Sequence, residues 1–83
     1  MATKSHKTIE QVAAAIIEQN PEFAQELVDN DGNNYRIAEA KVKPLLATIG
    51  KLTGKFVKTH EMTWAVINAA TGSDQGPNLK LDL

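Results

Sequence analysis

The chain has 83 residues, 42% of them hydrophobic and 23% charged, with no cysteine and a formal net charge of −1. This is the length and composition of one ordinary soluble domain, too short for a second core and too apolar for a disordered chain. Without cysteine there is no disulfide framework, no thiolate nucleophile and no Cys-ligated zinc or iron–sulfur centre. The longest apolar run, Val12 to Ile17, falls far short of the roughly 20 residues of a membrane span and is too short for the roughly 7–15-residue core of a signal peptide. The expectation is a cytoplasmic chain with no membrane partner. A fold of this size buries only about 60–65% of its unfolded surface, so a binding role suits it better than an elaborate active site.

Residues 1–7 are polar and aperiodic and read as a flexible N-terminal arm. Ile9, Val12, Ala13, Ile16 and Ile17 then recur at the spacing of one helical face. Thr8 before the run and Gln11 three residues later make a capping box, which sets the first helix at 8–19. Pro21 disfavours helical geometry at Asn20 but suits the first position of a second helix, with Asn20 as its cap. Phe23, Ala24, Leu27 and Val28 form the apolar face of that helix, which reaches Asp29. The turn formers Asn30-Asp31-Gly32-Asn33-Asn34 reverse the chain.

Helical spacing resumes through Ile37, Ala38, Lys41, Val42, Leu45, Leu46, Ile49 and Leu52. Pro44 cannot donate to Ala40, so the segment divides into a short helix to Val42 and another over 44–53, closed by Gly54. Residues 55–58 are a short link or strand. Thr59 is the expected cap of a last helix on which Met62, Ala65, Val66, Ala69 and Ala70 share a face widened by Trp64 and Ile67, with Gly72 at its end. Its broad apolar face predicts a central position. Residues 73–83 begin with turn formers and close with Leu79, Leu81 and Leu83 alternating with Lys80 and Asp82, the period of a half-buried strand. The expected fold is mainly α, one helical domain of four to five helices over 8–72 with a C-terminal tail. The tail can pair 79–83 with 55–58 as a two-stranded ribbon or lie along a partner's sheet edge. Ile9, Val12, Ile16, Met62, Val66 and Ile67 are the expected core.

Motifs of chemistry are incomplete. His60-Glu61-Met62-Thr63-Trp64 opens like the zinc-protease pattern, but Trp64 stands where the second histidine is required, and His6 lies in the polar arm. Gly50-Lys51-Leu52-Thr53-Gly54-Lys55-Phe56 resembles a phosphate loop, yet it is one residue short, has Phe56 in place of the magnesium-binding hydroxyl and follows a helix rather than a strand. Lys51 inside Gly50-x-x-x-Gly54 excludes a membrane packing motif. Aligning Gly32 with the glycine of a calcium loop leaves Leu27 and Ala38 at the terminal ligand positions. No metal, cofactor or small-molecule substrate is indicated, and no catalytic residue is singled out.

Charge distribution is the feature above background. Residues 1–35 hold two lysines against six carboxylates, a net −4; residues 36–58 hold six cations against Glu39, a net +5; the remainder holds Lys80 against three carboxylates, a net −2. Either the basic segment docks on an acidic partner or on phosphates, with the acidic row Glu18, Glu22 and Glu26 meeting a basic one, or the two halves face each other and cancel. The leading expectation is a small non-catalytic interaction protein, an accessory, assembly or inhibitor subunit of the kind common in viruses and phages. It would act on a larger protein or on its own copies through charged helix faces and the tail contact Leu79, Leu81 and Leu83. The alternative is a helix-turn-helix or winged-helix protein on duplex DNA. Asn33, Asn34, Tyr35 and Arg36 would then approach bases, and Lys41, Lys43, Lys51, Lys55 and Lys58 phosphates. The isoelectric point near 6.1 weighs against it, because nucleic-acid domains commonly exceed about 9.

Overall fold

The computed structural model describes residues 6–30 and 32–72. They form five α-helices and one 3-10 turn: α1 Ile9–Gln19, α2 Pro21–Asp29, α3 Asn34–Val42, the turn Lys43–Leu45, α4 Leu46–Thr53 and α5 Thr59–Thr71. The capping box holds α1 as expected. The Thr8 hydroxyl accepts from the Gln11 N–H at 3.0 Å, and Gln11 Oε1 accepts from the Thr8 N–H at 2.9 Å. Pro44 splits the central segment through a 3-10 turn, so the α3–α4 rod bends without an open loop. Gly54 and Gly72 end α4 and α5 in the left-handed region, at φ 75° and 72°.

Helix α5 is the centre of the domain, packed by α1, α2 and α3, while α4 lies against α1. Met62, Thr63, Val66 and Ile67 of α5 meet Ile9, Val12 and Ala13 of α1, Leu27 of α2, Ala38 and Val42 of α3, and Ile49 of α4 in one core. Thr63 is tolerated there because its hydroxyl donates to the Thr59 carbonyl at 2.6 Å. No helix among the described residues is long and apolar enough to cross a membrane.

Several local expectations need correction. Ile16 packs on the core only half-buried, since α1 runs out toward an open groove beside Gln19 and Asn20, and Ala13 is the fully buried residue instead. Asn20 takes the N-cap position of α2, where its carbonyl accepts from the Ala24 N–H at 2.9 Å, but its side chain does not cap that helix. Its amide donates back to the Ile16 carbonyl at 2.7 Å and closes α1. Helix α5 begins one residue earlier than a Thr59 cap requires, with extended Lys58 in the cap position. No strand occurs among the described residues, and 56–58 is an irregular link whose Val57 fills the core, so the ribbon expected at 55–58 is not formed there. Its other half, 79–83, and with it Leu79, Leu81 and Leu83, lies outside the described residues. Of the N-terminal arm, the Lys7 N–H donates to the Leu52 carbonyl at 2.9 Å, and the His6 ring lies over Gly54.

Candidate functional site

The link between α4 and α5 carries the most exposed large apolar residue described. Val57 is 3% exposed and points into the core, whereas Phe56 is 84% exposed. Adjacent side chains of an extended segment point to opposite sides, so anchoring Val57 drives Phe56 outward. The segment is tied on both flanks. The Thr53 hydroxyl, buried, lies 2.9 Å from the Ile49 carbonyl oxygen and 3.2 Å from that of Lys55, and left-handed Gly54 turns the chain between them. Near Phe56 in sequence are Leu52, itself 40% exposed, and the exposed Lys51, Lys55 and Lys58. An exposed aromatic side chain on a turn flanked in sequence by lysines is the kind of apolar surface feature that stands out against an otherwise polar exterior.

A second surface lies at the other end of α1. An open groove of about 830 Å3 runs between the α1–α2 corner and α3, lined by Gln19, Asn20, Pro21, Glu22, Phe23 and Glu26 on one side and Ile37, Ala40 and Lys41 on the other. Lys41 Nζ sits 5.5 Å from the centre of the Phe23 ring, a cation–π contact. Glu22 and Glu26 are exposed at the rim; Glu18 is also exposed, but it belongs to α1 and does not line the groove. Among the described residues, no lysine or arginine forms an ion pair with a carboxylate. Among the described residues, the acidic and basic segments therefore do not neutralise each other at contact distance.

The residues expected to meet DNA are scattered over different tasks. Asn34 is buried, and its amide donates to the Leu27 carbonyl at 3.3 Å. Tyr35 shares a 2.9 Å hydrogen bond with His60 Nδ1 and packs on Trp64 with ring centres 5.5 Å apart. Lys41 lies over Phe23, while Asn33, Arg36, Lys43, Lys51, Lys55 and Lys58 are exposed. The Tyr35–His60–Trp64 cluster, unforeseen in the sequence, joins α3 to α5 across 25 positions of chain, and a contact of that separation leaves no periodic signal. No group of three potential metal ligands exists among the described residues. No protein-family model, curated protein or solved structure matches the chain.

Proposed function

We propose that this chain is a non-catalytic protein-interaction module, an accessory or assembly subunit, whose contact residue is Phe56 set among Lys51, Lys55 and Lys58. The observation that carries the reading is the exposure of Phe56 on a turn whose neighbours Thr53, Gly54 and Val57 are each fixed. Leaving a phenylalanine in water forfeits about 1.5–3 kcal/mol of burial, and here the fold buries the adjacent valine instead. Burying the ring in a partner's pocket recovers that free energy, and the lysines select an acidic rim.

The test is affinity capture by the tagged full chain, with nuclease present, followed by titration of the purified partner. Phe56→Ser should abolish the complex while leaving the urea melt within about 0.5 kcal/mol, the scatter of a surface change. A complex that survives Phe56→Ser overturns the reading. Duplex DNA is the competing reading, and it is weaker because Asn34 is buried and the side chains of Tyr35 and Lys41 are engaged by His60 and Phe23. A duplex shift that Arg36→Ala and Lys43→Ala both weaken would favour it over protein binding, with each lost phosphate contact lowering the salt slope by about 0.9.

A further inference from the structure

The two surfaces sit at opposite ends of one helix. The Lys7–Leu52 backbone hydrogen bond and the His6 ring on Gly54 tie the Phe56 turn to the N-terminal end of α1, while Gln19 and Asn20 place the groove at its C-terminal end. At about 1.5 Å per residue, the 11 residues of α1 separate the two by roughly 16 Å. One pole carries the exposed Phe56 with Lys55 and Lys58 beside it in sequence. The other is a groove lined by Phe23, Ile37 and Ala40 together with Glu22, Glu26 and Lys41. The two carboxylates outnumber the one lysine there, so the poles are opposite in charge.

Resting on the interaction reading above, we infer that the partner is a second copy of this chain, with Phe56 of one copy seated in the α2–α3 groove of the next. Lys55 and Lys58 then face Glu22 and Glu26, and the incoming ring stacks beside Lys41, which keeps Phe23 on its other side. The contact joins unlike patches, so it is head to tail, and every added copy leaves one free anchor and one free groove. Such an interface grows into a chain or closes into a ring, the smallest of which is a reciprocal antiparallel pair.

Sedimentation of the full chain from micromolar to millimolar concentration tests this. The wild type should exceed monomer mass as concentration rises. Phe56→Ser, which removes the anchor, and the double variant Glu22→Lys/Glu26→Lys, which reverses the groove, should each remain monomeric while circular dichroism shows both folded. Mixed together they should form a one-to-one dimer and nothing larger, because one intact groove and one intact anchor remain. A wild type that stays monomeric throughout, a Phe56→Ser variant that still assembles, or a mixture that yields no dimer overturns the self-docking inference. Loss of a different protein's binding on Phe56→Ser would meanwhile leave the interaction reading standing, so the two failures are distinguishable.

Discussion

Thr53 holds the turn that exposes Phe56, and it does so with one hydroxyl. That group lies against the Ile49 carbonyl within its own helix and against the Lys55 carbonyl beyond the helix end. Valine has the same shape without the polar atom, so Thr53→Val removes the bridge and leaves the packing. The expected loss is about 0.5–1.5 kcal/mol in a urea melt, with a larger relative loss of self-association than of stability, since the Phe56 turn is released. Thr53→Ser should restore most of both, and a Thr53→Val protein as stable as wild type would show that the bridge is incidental. The exposure of Phe56 was not legible in the sequence. Phe56 and Val57 are adjacent apolar residues, an extended link can turn only one of them inward, and nothing in a two-residue pattern decides which.

At the scale of the elements, periodicity carried far. Helices α1, α4 and α5, the division at Pro44 and the central place of α5 all follow from apolar spacing, a capping box and two glycines with positive φ. Depth within a helix did not, because spacing identifies the inward face but not how far a neighbour extends over it. The difference between Met62 and Ile16 measures this. Met62 is fully buried where α5 meets its neighbours, and Met62→Ala should cost about 2–5 kcal/mol. Ile16 packs against the core only half-buried, so less surface is lost on truncation; Ile16→Ala should cost less than half as much. Denaturant melts of the two variants that agree within error would contradict the depth assigned to Ile16. The cap at Thr59 is displaced to Lys58, and Asn20 holds its expected position without its side-chain bond, since residue type permits a cap but the path of the chain selects how it is used.

Charge acts at the scale of the whole molecule, and salt separates its two consequences. The sequence shows how charge is distributed along the chain, but not that the ends of α1 bring the basic turn and the acidic groove to opposite poles. With no ion pair among the described residues, the fold owes little to contact electrostatics. Association between the poles would owe more, because it brings Lys55 and Lys58 to Glu22 and Glu26. The screening length falls from about 10 Å at 0.1 M salt to about 3 Å at 1 M. Raising salt over that range should therefore lower the average sedimenting mass of the wild type several-fold toward the monomer. The unfolding free energy should move by under about 0.5 kcal/mol, in keeping with the small worth of exposed charges. The melts belong on Phe56→Ser, because association stabilises the folded wild type by mass action and would import its own salt dependence. If Phe56→Ser loses stability with salt as steeply as the wild type loses mass, the charges hold the fold together rather than the copies, and the two-pole picture is wrong.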